Sequence, residues 1–213
     1  MVLKQENFEK AFTESLADKG KRKFTQRAEL IINFKGIDFN KQENRLNLEV
    51  VLPHGKGKEP KIAVFTDGGQ VAYDAKQAGF STISSSEITE LASDRPKLKS
   101  LIKDHEFLAE PKLMMTVGKH LGQVLGTRDK LPKPIVGAKM EALAERLKKT
   151  VKIRSKGKYL PVAQCAVGSE NMSSGELAEN AQAVYDAVRN KVGDHSIKSV
   201  YVKLSMGNPV KVG

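Results

Sequence analysis

The chain has 213 residues, with Lys+Arg 36 against Asp+Glu 25, a formal net charge of +11 and a pI near 9.6, so its natural partners are polyanions. Hydrophobic residues make up 39%, enough for one large or two small cores, and the single cysteine, Cys165, excludes an intrachain disulfide and fits a reducing cytoplasm. No apolar run approaches the roughly 18 residues that cross a bilayer, and Met1-Val2-Leu3-Lys4 opens no export signal, so neither a membrane protein nor an exported one is expected.

Phe8, Ala11, Phe12 and Leu16 recur at helical spacing and predict a first helix, stopped by Gly20 before the basic run Lys21-Arg22-Lys23. From Ala28 the period changes to two. Ala28, Leu30, Ile32 and Phe34 mark one strand and Leu46, Leu48, Val50 and Leu52 another, and the polar connector Lys41-Gln42-Glu43-Asn44 makes an antiparallel pair the expectation. Pro53-His54-Gly55-Lys56-Gly57-Lys58-Glu59-Pro60 then breaks every pattern and reads as a hinge or domain boundary.

Beyond it the order is β then α. Lys61 to Phe65 is a short apolar strand, Asp67-Gly68-Gly69 a turn, and Val71 to Gln77 a helix closed by Gly79. Ser84-Ser85-Ser86-Glu87 opens another helix, with hydroxyls to cap its amides and an early acid to suit its dipole. His105 to Ala109 is the next strand, and Leu113, Val117, Leu121, Val124 and Leu125, then Met140, Leu143, Ala144 and Leu147, are two further helical stripes.

Strand character returns at Thr150 to Arg154, turns through Lys156-Gly157-Lys158 and resumes from Tyr159 to Val167, which predicts a charged antiparallel hairpin. Ser173-Ser174-Gly175-Glu176 opens a helix with the stripe Leu177, Ala181, Val184, Tyr185 and Val188. The last strand, Ser199 to Ser205, alternates Val200, Val202 and Leu204 with a polar face and runs into Met206-Gly207-Asn208-Pro209. The expected fold class is α/β. An α+β split domain, with an antiparallel sheet and helices, spans residues 1–57 and 150–213, and a Rossmann-like three-layer α/β domain is inserted at 58–149.

Catalytic chemistry finds no support. Gly55-Lys56-Gly57-Lys58 lacks the spacing of a phosphate loop, and Asp67-Gly68-Gly69 lacks G-x-G-x-x-G. His54, His105, His120 and His195 are scattered, and Cys165 has no base beside it. No enzyme, cofactor, metal or catalytic residue is expected. The basic segments say more. Lys19-Gly20-Lys21-Arg22-Lys23 leads into Phe24-Thr25-Gln26-Arg27, and Lys152 to Lys158 is basic again, so two cationic runs and a polar strand face fall in the split domain. Phe24 either packs in the core at a strand entrance or shapes a contact to RNA, which is read by shape and 2′-OH rather than by a groove code.

Leu52-Pro53-His54-Gly55-Lys56-Gly57-Lys58 preceded by Gly36-Ile37-Asp38, then Leu121-Gly122-Gln123-Val124-Leu125-Gly126-Thr127-Arg128 with Leu131-Pro132-Lys133-Pro134, and finally Ser199-Val200-Tyr201-Val202 with Ser205-Met206-Gly207, resemble the ribosomal protein L-one family in its archaeal form. The resemblance is collinear over nearly the whole chain. It implies a cytoplasmic protein of the large ribosomal subunit's mobile lateral stalk, bound to large-subunit ribosomal RNA and moving with deacylated tRNA at the exit site. Members often repress translation by binding their own messenger RNA. The implied RNA contacts are Lys23, Phe24, Thr25, Arg27 and Ser205-Met206-Gly207, where Ser205 replaces the family's threonine and Thr25-Gln26 departs from its acidic residue after the phenylalanine. Ser199 on the same strand face is expected to assist, Lys23, Arg27, Lys156 and Lys158 to neutralise phosphates, and the protein to be monomeric off the ribosome. Two competing readings are a nucleotide-binding enzyme built on the middle βα units and a nonspecific nucleic-acid binder.

Overall fold

The computed structural model describes residues 3–136, 140–155 and 160–213. In chain order these form α1 (Gln5–Ser15), β1 (Arg27–Phe34), β2 (Asn47–Val51), β3 (Lys61–Phe65), α2 (Gly69–Gln77), β4 (Ser81–Ile83), α3 (Ser85–Ser93), α4 (Arg95–Asp104) and β5 (His105–Ala109). There follow α5 (Met114–Thr127), β6 (Lys133–Pro134), α6 (Met140–Lys149), β7 (Thr150–Arg154), β8 (Val162–Ser169), α7 (Ser174–Val192), β9 (Ile197–Leu204) and β10 (Val210–Lys211). The chain divides into two compact units, Met1–Glu59 with Lys149–Gly213, and Pro60–Lys148.

The first unit is built on an antiparallel sheet of order β10-β9-β1-β8. Period-two alternation sends Ala28, Leu30, Ile32 and Phe34 of β1, and Val200, Val202 and Leu204 of β9, into one core. Phe8 and Phe12 of α1 and Leu177, Ala181, Val184, Tyr185 and Val188 of α7 join the same core, with the Phe8 and Tyr185 rings 5.8 Å apart. Each fully buried side chain of this kind contributes about 1.5–3 kcal/mol. A capping box starts α7: the Glu176 N–H donates to Ser173 Oγ at 3.3 Å and the Ser173 N–H to the Glu176 carboxylate at 2.9 Å.

Two strand pairings differ from expectation. β1 and β2 are not partners, because β1 lies between β8 and β9 while β2 pairs with β7 in a separate two-stranded sheet. The connector is not a tight turn. It buries Phe39 against Phe34, ring centroids 5.2 Å apart, and takes a single 3-10 turn at Gln42–Asn44 before β2 begins. The hairpin expected at 150–167 is likewise divided between sheets, β7 bonding to β2 and β8 to β1; its turn, with Lys156 and Lys158, lies outside the described residues. Alternation shows that a segment is a strand, but partners are chosen by which apolar faces can share a core.

The second unit is a parallel sheet of order β4-β3-β5-β6 with helices on both faces. Ala63, Phe65, Phe107 and Ala109 pack with residues of α3, α4 and α5, whereas Ile62, Val64 and Leu108 pack with Ala75 of α2 and Met140, Ala144 and Leu147 of α6. Burial on both faces explains why β3 reads as a continuous apolar run rather than an alternating one.

Candidate nucleic-acid interface

Antiparallel pairing of β1 with β9 sets Ala28 opposite Leu204, so the start of one strand meets the end of the other. At this corner the Ser205 N–H donates to the Arg27 carbonyl at 3.0 Å and the Arg27 N–H donates to Ser205 Oγ at 3.2 Å. The same hydroxyl lies 3.3 Å from Glu29 Oε1 and 3.4 Å from the Arg27 carbonyl, either of which can accept its one proton. One lone pair of the hydroxyl remains for an outside donor such as a ribose 2′-OH.

Met206 follows in a turn and is 58% exposed. Its side chain is offered to solvent while its N–H is held by Gln26 Oε1 at 3.0 Å. The Gly207 N–H closes the turn on the Leu204 carbonyl at 2.9 Å. Gly207 is not in a left-handed backbone; a Cβ here would stand a tight 3.3 Å from Leu204 Cβ and in ordinary contact, 3.5 Å, with Asp18 Oδ2.

The segment leading into β1 supplies the other half. Lys23, Phe24, Thr25 and Arg27 are exposed, and Phe24 at 52% is not a core residue, so its core-packing reading is overturned. A large apolar ring left in water among cations is the combination on which an unstacked base can sit. Nearby, Lys21 pairs with Asp18 at 2.6 Å. Ser199 lies on the same strand face as Ser205 but about 20 Å along it at ordinary strand rise, and its hydroxyl accepts from Asn33 Nδ2 at 3.1 Å. The structure thus joins Arg27, Ser205, Met206 and Gly207 directly, sets Lys23, Phe24 and Thr25 beside them in the chain, and leaves Ser199 apart.

Sequence reasoning missed three residues of this corner. Glu29 faces Ser205, and Gln26 and Glu170 are 1% and 5% exposed beneath the Met206 turn. Gln26 was detectable, since it stands in phase with the inward-facing Ala28, Leu30 and Ile32 and is polar where the pattern calls for an apolar side chain. Glu170 had no local signal. It reaches the corner because β8 pairs with β1, bringing Ser169 opposite Arg27.

Other chemistry is disfavoured by what occupies its place. At the carboxyl end of β3, where a parallel sheet would bind phosphate, the Thr66 hydroxyl donates to the Glu110 carboxylate and the Ser85 N–H to Asp67 Oδ1 at 2.8 Å. Two carboxylates at that end repel a phosphate. Cys165 is part-buried, and burial of its thiol, aided by the Glu29 carboxylate, pushes its pKa up to about 12, so it is no thiolate nucleophile at neutral pH. Among the described residues no group of three or more His, Cys, Asp or Glu could hold a metal ion, and no helix is long and apolar enough to cross a membrane.

Residues 13–208 match the model of the Ribosomal protein L1p/L10e family. The chain is 44% identical to the large ribosomal subunit protein uL1 of Thermococcus kodakarensis, over 100% of this chain and 99% of the relative. It is 45% identical to that of Methanocaldococcus jannaschii over 90% and 88%, and 39% identical to that of Archaeoglobus fulgidus over 100% of both. The match over residues 13–208, the full-length similarity to archaeal ribosomal proteins and the α/β fold agree: the chain belongs to the Ribosomal protein L1p/L10e family, is of the archaeal type, and is a structural protein rather than an enzyme.

Proposed function

We propose that this protein is a component of the large ribosomal subunit, in the cytoplasm, whose split unit binds the ribosomal RNA of the mobile lateral stalk. The observation that carries the reading is that two exposed apolar side chains, Phe24 in the cationic segment leading to Arg27 and Met206 directly after Ser205, adjoin in the chain the two residues whose backbones bond at this corner. Such a surface offers stacking to bases, a hydroxyl lone pair and the Glu29 carboxylate to ribose or base donors, and Lys23 and Arg27 to phosphates. Lys156 and Lys158, outside the described residues, also neutralise phosphates, and Ser199 contacts the same RNA farther along the strand. Relatives named as large-subunit proteins support this placement.

Two finer roles rest on the same surface. The protein assists release of deacylated tRNA from the exit site as the stalk moves, and it represses translation by binding a structure in its own messenger that presents the same features as the ribosomal site. Off the ribosome it is a monomer. The test is competition binding at fixed salt among a large-subunit stalk fragment, an equal-length scrambled RNA and duplex DNA. Preference for the stalk fragment by tenfold or more supports the reading; equal binding of all three identifies a nonspecific polyanion binder instead. Messenger binding is checked by displacement of the stalk fragment, and the tRNA role by slower loss of deacylated tRNA from ribosomes that lack the protein.

A further inference from the structure

We infer that Gln26 is a positioning residue for the RNA contact: a buried amide that touches no RNA and holds the Met206-Gly207 turn in its binding conformation. The inference rests on the proposed reading of Ser205-Met206-Gly207 as an RNA contact. Gln26 is 1% exposed, yet its side chain ties together three segments far apart in the chain. Oε1 accepts the Met206 N–H at 3.0 Å, and Nε2 donates to the Asp18 carbonyl at 3.2 Å and to Glu170 Oε2 at 3.1 Å. The backbone adds a fourth tie, the Glu170 N–H donating to the Gln26 carbonyl at 3.0 Å. The amide orientation is unambiguous, because both partners of the nitrogen are acceptors and the partner of the oxygen is a donor only.

No other side chain meets these demands at once. Methionine or leucine would fill the volume but leave the part-buried Met206 N–H without its acceptor and take the amide donor from the buried Glu170 carboxylate. Glutamate would keep an acceptor for Met206 and set a second carboxylate where Nε2 lies, 3.1 Å from Glu170. Among the described residues the donors to the Glu170 carboxylate are neutral, Gln26 Nε2 and the Gly20 N–H at 3.4 Å. Other charges near this corner include Asp18 with its partner Lys21, Arg27 and Glu29 on β1, and Lys203 opposite Glu29 on β9. Lys21 is engaged by Asp18 and Glu29 faces Ser205, so neither takes the place of the amide. The turn that presents Met206 is therefore set from beneath, by a residue outside the contact.

The experiment compares Gln26→Met, Gln26→Glu and Met206→Ala in the full chain, using a large-subunit stalk RNA fragment and a scrambled control. Gln26→Met is expected to speed exchange of the Met206 amide hydrogen and to weaken the stalk fragment about tenfold, with an unchanged salt slope because no phosphate cation is lost. Gln26→Glu is expected to bind poorly at neutral pH and to regain affinity as pH falls. Two carboxylates this close share a proton when they can, and the shared proton restores a donor to the pair. A role limited to packing would not move with pH in this way. If Gln26→Met leaves stalk affinity unchanged while Met206→Ala weakens it, the positioning role is wrong although the site stands. If Met206→Ala itself has no effect, the site reading fails and this inference with it. Should Gln26→Met not fold, Gln26→Glu decides alone, and affinity that tracks the wild type from pH 5 to 8 overturns the inference.

Discussion

Asn180 of α7 holds the backbone of Gly55: its Nδ2 donates to the Gly55 carbonyl at 2.9 Å and to the Val167 carbonyl at 2.8 Å, while its Oδ1 accepts the His54 N–H at 3.0 Å. The residue is fully buried, and the two bonds donated by its Nδ2 form away from water, while the one from the His54 N–H is part-buried. His54 is clamped a second time by its ring, 2.6 Å from the Glu179 carboxylate one residue earlier on the helix. The segment read as a hinge is thus fastened to the first unit as far as Gly55.

Replacing Asn180 with Leu, which keeps the volume but removes every bond, leaves two buried carbonyls and one N–H without partners. The expected cost is about 3 kcal/mol, read as a lower denaturant midpoint with an unchanged slope. A loss below about 0.5 kcal/mol, the size of an ordinary surface change, contradicts the clamp.

Gly57 and Gly20 share a left-handed backbone, φ +72° and +73°, but not their surroundings. A Cβ on Gly20 meets nothing within 4 Å, whereas one on Gly57 would stand 2.4 Å from Ser169 Oγ and 3.0 Å from Met172 Sδ. Gly20→Ala should therefore cost only the conformational penalty of about 1–2 kcal/mol, and Gly57→Ala clearly more, since Ser169 or Met172 must also move. Paired denaturant titrations check the order; equal losses would mean that the linker shifts freely.

Much of this architecture was legible because it rests on local periodicity. The alternation of β1 and β9, the continuous apolar run of β3 and the serine caps at Ser84 and Ser173 each state their element in a few residues. Strand partners were not legible, as the separation of β1 from β2 shows, because any apolar strand face fits several neighbours until the whole core is assembled. The candidate site divides in the same way. Phe24 and Met206 stand out by type and position, but Gln26 and Glu170 meet only through the β1–β8 pairing, 144 residues apart in the chain.

Glu176 gives a pH dependence whose sign can be worked out. Its carboxyl is held below the ordinary value of 4.5, first by the Ser173 backbone N–H, then by the Ser173 hydroxyl, with the nearby His54 also favouring the charged form. A lowered folded-state value means that the charged form is favoured by folding. Its stabilisation is complete above pH 4.5 and fades as pH falls through the lower folded-state value. Glu176→Gln should therefore be less stable than the wild type at neutral pH and approach it under acid conditions. Thermal melts at pH 7 and in steps below pH 4.5 test this; a constant gap at every pH would assign the effect to packing.

Lys23, Phe24 and Met206 separate three kinds of RNA contact. Lys23 is exposed, and as a phosphate contact its replacement by Ala should lower the slope of log affinity against log salt by about one unit and weaken every RNA alike. Phe24→Ala removes a stacking surface without a charge, so affinity for the stalk fragment should fall by about 1–3 kcal/mol with the salt slope intact. Protein stability should barely change, because the ring is already 52% exposed. Met206→Ala should hurt the cognate structure and spare the scrambled one, since its neighbours Ser205 and Gly207 define a shape rather than a charge. Filter binding across a salt series with both RNAs distinguishes the three. Equal weakening of both RNAs by Met206→Ala, with the loss vanishing at high salt, would remove the Ser205-Met206-Gly207 turn from the interface and leave only its cations.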